Sequence, residues 1–195
     1  MPSEAELVAR TALSRPATLH AGRLVCVDGP AGSGKTTLAS GIAEVTGAEV
    51  VHTDELLQGW RGLPGLARTL DAMLRPVADG GVGSWRRWDW AADGWAEDHA
   101  LEPAPLLVVE GVGSGAALIA DLVTVLVWVE APADLRLTRG MLRDGEEMAP
   151  QWKQWMVDEE ELYAREQTRE RADILVDGTG VRPPVVRWAS GPEAR

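Results

Sequence analysis

Gly29, Gly34, Lys35 and Thr36 stand in the run "VDGPAGSGKTT", residues 27–37, and fill the pattern G-x-x-x-x-G-K-S/T. A loop of this kind turns successive backbone N–H groups toward phosphate oxygens, sets a lysine against the terminal phosphates and offers a hydroxyl to Mg²⁺. Gly29, Ala31, Gly32, Ser33, Gly34, Lys35, Thr36 and Thr37 are therefore expected to hold the phosphates of a nucleoside triphosphate. The chain has only two lysines, Lys35 and Lys153, and one of them sits in this loop. The loop alone does not say what becomes of the γ-phosphate, because motors, GTPases and small-molecule kinases share it. A guanine-reading N-K-x-D segment is absent, since Lys153 lies in "QWKQW".

Three further groups narrow the chemistry. Asp54, in "VVHTDELL", follows an apolar run and could take a proton from an acceptor hydroxyl; alternatively it opens a helix that Thr53 caps. Glu110 ends "LLVVE", where a carboxylate faces magnesium and phosphates, so Thr36, Glu110 and Asp54 form the expected metal set. The two acids could exchange the duties of base and metal-associated group. Arg136, Arg139 and Arg143 fall at offsets of three and seven, along one helix face, from which guanidinium groups could close over a triphosphate. Arg139 and Arg143 are expected to aid catalysis and Arg136 to bind the nucleotide.

The stretch "SWRRWDW" interleaves indoles with charge. Trp85 and Trp88 could stack on a flat or cationic acceptor while Arg86 and Asp89 supply polar contacts. With no phenylalanine and one tyrosine in the chain, tryptophan must also serve as ordinary core. Trp152 and Trp155, in a charged helical segment, read as packing residues. His52 and His99 are isolated and suggest no role, and Cys26, the only cysteine, lies inside an apolar run.

These groups need a scaffold. Residues 4–14 read as a helix, "LVCVD" as a buried strand, and "KTTLASGIAEVTG" as a helix that starts inside the glycine loop and stops at Gly47. "AEVVHTD", "PLLVVEG", "LVTVLVWVEA" and "ADILVDG" read as four more strands. Strands apolar throughout and alternating with helices predict an α/β fold with a five-stranded parallel sheet between helical layers. The chain reads as one domain over 1–195, with a substrate-binding insertion over 56–105, a lid region over 136–172 and a C-terminal extension over 181–195 that packs through Trp188 or frays.

The order of glycine loop, Asp54, "VVEG", "RLTRGMLRDG" and "RADILVDG" resembles the uridine kinase branch of the phosphoribulokinase/uridine kinase P-loop family, which phosphorylates hydroxyls of nucleosides and other small metabolites. That resemblance implies a sheet order of 2-3-1-4-5, ATP and Mg²⁺ as cofactors, Asp54 as base, Glu110 beside magnesium, and Arg143 in a mobile lid. The phosphate loop is equally similar to that of cytidylate kinases, so a nucleoside monophosphate kinase stands as the alternative, with a non-catalytic ATP-binding module as a second. A formal net charge of −11 argues against nucleic acid as a partner. No stretch is long and apolar enough for a bilayer, so a cytoplasmic protein acting on a small-molecule acceptor is expected, with a homodimer allowed.

Overall fold

The structure, a computed structural model, describes residues 3–187. Trp188 and the remainder of the expected C-terminal extension lie outside them. The chain opens with α1 (Glu4–Ser14), whose start is fixed by a reciprocal cap: the Ser3 hydroxyl accepts from the Glu6 N–H, and the Glu6 carboxylate accepts from the Ser3 N–H. β1 (Arg23–Asp28) then leads through the glycine loop into α2 (Lys35–Thr46). β2 (Glu49–His52) is followed by the insertion, which holds α3 (Leu66–Ala78), β3 (Gly83–Asp89) and β4 (Gly94–Leu101). β5 (Leu106–Glu110), β6 (Val125–Glu130), α4 (Ala133–Asp144), α5 (Ala149–Glu166), α6 (Thr168–Arg171), β7 (Ile174–Asp177) and β8 (Val185–Val186) complete it.

The main sheet runs β2-β5-β1-β6-β7-β8. Its first five members are parallel and stand in the order the family resemblance implies. The expected count of five is corrected to six, because β8 pairs antiparallel with β7. Two residues long and preceded by Pro183 and Pro184, β8 carries no strand pattern of its own, and an edge is where a proline-flanked strand is tolerated.

Alternation along β1 sorts the core into two layers. Leu24 and Cys26 face a cluster shared with α3, α5 and the insertion, including Leu70, Leu74 and Leu162. Val25 and Val27 face the other side, with Val8 and Ala12 of α1 and Ile42 of α2. Each fully buried aliphatic side chain contributes about 1.5–3 kcal/mol relative to exposure. Burial on both faces is why these strands read as apolar runs.

The insertion holds a two-stranded antiparallel hairpin that the sequence reading did not identify. Strict alternation in β3 would bury residues 85 and 87, but a register shift between Arg86 and Trp88 turns Trp88 inward beside Trp85. Trp85 and Trp88 are therefore buried framework, Trp85 stacked on His99 and Trp88 edge-on to Trp95.

Candidate functional site

The glycine loop sits at the carboxyl end of β1, in the bend between strand and helix. Gly32 and Gly34 adopt left-handed backbone (φ 76° and 106°), and a Cβ at Gly32 would lie 2.7 Å from the Arg136 carbonyl. Glycine at 32 thus serves both conformation and close packing. α2 has no side-chain cap, since its cap residue is Gly34, so the donors of its first turn lack intrahelical acceptors and face the cleft. The buried Ser33 hydroxyl has no protein partner among the described residues. Uncapped donors, the positive end of a helix and a lysine together suit an anion. Lys35 is buried and donates from Nζ to the Pro30 carbonyl at 2.9 Å. Burial pulls its pKa down, against the opposing pull of Glu110, Asp28 and Glu159.

Glu110 ends β5 beside the loop. Its Oε1 accepts from the Thr36 hydroxyl at 3.1 Å and lies 2.6 Å from His52 Nδ1. The hydrogen bond to Glu110 raises the pKa of His52. A hydroxyl and a carboxylate side by side are hard oxygen donors of the kind Mg²⁺ takes when phosphates and water complete its shell. Among the described residues no cluster of three His, Cys, Asp or Glu side chains could hold a metal. Thr36 and Glu110 therefore fit a magnesium that is held jointly with phosphate.

Asp54 lies in the 3₁₀ turn Thr53–Leu56 after β2, is exposed, and borders the same cleft of about 770 Å³ as Lys35, Thr36 and Glu110. Thr53 does not cap this turn; its hydroxyl donates to the Val112 carbonyl at 3.2 Å. The indole N–H of Trp90 donates to the Asp54 carbonyl at 3.0 Å, which ties the hairpin end to the turn.

The three arginines of α4 separate. Arg143 borders the cleft, paired with Asp144 at 2.7 Å and largely exposed. Arg139 borders it too, but its guanidinium donates to the carbonyls of Gly32 and Gly178, both at 3.0 Å, and so fastens α4 to the loop. Arg136, expected to bind the nucleotide, forms a buried ion pair with Glu159 and a weaker donation to the Ala31 carbonyl. The other Glu159 oxygen accepts from the Ala31 N–H at 2.8 Å. Burial raises the Glu159 pKa, and the Ala31 N–H and Arg136 oppose it.

Asp28, at the end of β1, is a second buried organiser. Its carboxylate accepts from the N–H groups of Gly29, Gly113 and Gly115 and from the Tyr163 hydroxyl. Burial raises its pKa, and those four donors counter the rise. It thereby joins β1, the segment after β5, and α5.

The remaining expected contacts fall elsewhere. Arg86 donates along the hairpin to the Ala96 carbonyl, and Asp89 accepts from the N–H groups of Ala91 and Ala92 in the turn. Neither borders the cleft, and neither do Trp85 and Trp88. The cleft is walled instead by Trp60 and Trp90 of the insertion and Trp152 and Trp155 of α5. A second cleft of about 600 Å³ shares Gly34, Thr37 and Arg139 with the first and runs to Glu4 and Asp177–Gly180. Among the described residues no helix is long and apolar enough to cross a membrane.

No family model and no curated protein matches the sequence. Solved structures do match the fold. One is a possible uridine kinase from Bacillus stearothermophilus, at 17% identity and TM-score 0.59, covering 89% of this chain and 97% of that one. Another is assigned as a fructose transport system kinase from Silicibacter sp. TM1040, at 19% identity and TM-score 0.56, covering 88% and 96%. A third, the YGR205w protein, stands at 12% identity and TM-score 0.51, covering 85% and 90%. The α/β fold with its mostly parallel sheet is shared with these structures.

Proposed function

We propose that this chain is a magnesium-dependent phosphotransferase that moves the γ-phosphoryl group of ATP to a hydroxyl of a small molecule. The observation that carries the reading is one shared cleft in which Lys35, the uncapped start of α2 and the Thr36–Glu110 pair lie at one end, with the exposed carboxylate of Asp54 beside them. The loop amides and Lys35 bind the triphosphate, and Arg143, free to leave Asp144, neutralises charge as the phosphoryl group transfers. Arg139 holds the loop in shape. Mg²⁺, held by Thr36 and Glu110, would supply charge neutralisation at the phosphates. Asp54 orients the acceptor hydroxyl and takes its proton. The second cleft, continuous with the loop through Gly34 and Thr37, offers room for the nucleoside part of ATP.

The sequence resemblance puts a nucleoside first among acceptors, and one structural neighbour is described as a possible uridine kinase. A nucleoside monophosphate is less well served, because Arg61, Arg68, Arg86 and Arg87, the basic residues available for a second phosphate, do not border the cleft. The test is calorimetry with Mg-ATP, followed by ADP release over nucleosides, nucleotides, sugars and amino alcohols, with Asp54→Asn in parallel. Acceptor-dependent ADP release that the substitution abolishes supports the reading. ATP binding with no acceptor-dependent ADP would replace it with a non-catalytic nucleotide-binding module.

A further inference from the structure

The acceptor end of the main cleft is walled by indoles set nearly at right angles. Trp60 meets Trp90 with ring centroids 5.5 Å apart and planes at 75°, and meets Trp155 at 5.7 Å and 77°. A planar heterocycle stacks best on an open face or between two parallel rings. The three indoles pack edge to face and line the cleft with an apolar wall that offers no pair of parallel rings, which suits a compact, rounded group. Among the described residues the cleft lining includes no asparagine, glutamine, histidine or serine that could read the edge of a base or the several hydroxyls of a sugar.

Charge points the same way. The cationic side chains of the cleft, Lys35, Arg139 and Arg143, are those that the phosphotransferase reading gives to the loop and the triphosphate, which leaves none for an anionic acceptor. The whole chain carries a formal charge of −11, which draws cations toward it. One indole of this cleft already receives a cation: the Arg143 guanidinium carbon lies 5.7 Å from the centre of the Trp152 ring.

We propose that the acceptor is a small alcohol whose other end is an ammonium or quaternary ammonium group, held against Trp60, Trp90 and Trp155 with its hydroxyl toward Asp54. This rests on the phosphotransferase reading and, on the shape and charge of the cleft, puts an amino alcohol in place of a nucleoside as its acceptor. The hydroxyl oxygen forms a bond to the γ-phosphorus of ATP, and the bond from that phosphorus to the β–γ bridging oxygen breaks. The hydroxyl proton passes to the Asp54 carboxylate, and ADP leaves.

The test compares choline with 3,3-dimethylbutan-1-ol, which has nearly the same shape without the charge, and with uridine. Binding to the Mg-ADP-loaded protein is followed by calorimetry and transfer by ADP release from Mg-ATP. Choline is expected to bind at least about tenfold more tightly than the neutral alcohol and to support ADP release. Trp90 is 40% exposed, so Trp90→Leu should fold; it is expected to raise the choline Kd roughly tenfold and leave the Mg-ADP Kd unchanged, with Trp90→Phe intermediate. Equal affinity for the charged and neutral alcohols, or transfer to uridine with none to choline, overturns the assignment of acceptor and leaves the phosphotransferase standing. Failure to bind Mg-ADP and Mg-ATP overturns both.

Discussion

The two ends of the cleft are built on different physics. At the phosphate-loop end, position is set by buried polar contacts that fix single atoms: Asp28 holds three backbone N–H groups and a phenol, and Glu159 holds one loop amide and Arg136. At the tryptophan-lined end, position is set by the shapes of indoles, with one hydrogen bond from Trp90 to the Asp54 carbonyl joining hairpin to turn. An anion site needs directed donors in a low dielectric, and those donors must themselves be held. A site for a compact organic group needs contact area. The hairpin that supplies part of it is secured on its outer side by exposed pairs such as Arg87–Glu97, which stabilise little.

The contrast can be broken in four places. Asp54→Asn is expected to lower phosphoryl transfer by about 10²–10⁴-fold, the range for loss of a positioned base, while the ATP affinity measured by calorimetry stays within about twofold. Unchanged turnover would remove Asp54 as base. Arg136→Ala leaves the Glu159 carboxylate buried without its partner and is expected to cost about 3–5 kcal/mol in urea unfolding. A cost below about 1 kcal/mol would mean that water reaches the pair. Lys35→Ala should do the reverse, leaving stability nearly intact because burial already disfavours its charge, and reducing transfer by about 10²–10³-fold. A variant that unfolds yet binds ATP normally when stabilised would contradict that division.

The smallest effect lies on the hairpin. Arg87 lowers the Glu97 pKa to about 2. A carboxylate whose pKa is depressed on folding adds stability that is present above its usual value near 4.5 and is lost as pH falls toward 2. Arg87→Ala should return the Glu97 titration, followed by carboxyl NMR shifts, to the ordinary range, with little change in melting temperature at neutral pH. No movement of that titration would show the pair to be absent in solution.

The same contrast explains what could be read in advance. The loop was legible because its donors come from consecutive residues, so spacing alone carries the geometry. The five parallel strands were legible because burial on both faces leaves apolar runs. Glu159 and Tyr163 were not, because their partners lie 128 and 135 residues away and a charged helix hides one inward glutamate among several outward ones. His52 reads as isolated in the sequence, although it ends β2 next to β5 and register alone brings it to Glu110. That Trp85 and Trp88 turn inward while Trp90 borders the cleft follows from the hairpin register. Its one local signal was the Asp93–Gly94 turn, with Asp93 at φ 50°.

Gly140 lies under the Trp152 ring so closely that a Cβ there would sit 2.4 Å from it. With Trp152 Nε1 bonded to Asp144 and Arg136 to Glu159, α4 and α5 interlock along their length. The arm implied as a mobile lid is therefore pinned between its two helices at three points. The same arm reaches the carbonyls of Ala31 and Gly32, so the glycine loop and the two helices are held by one continuous set of contacts.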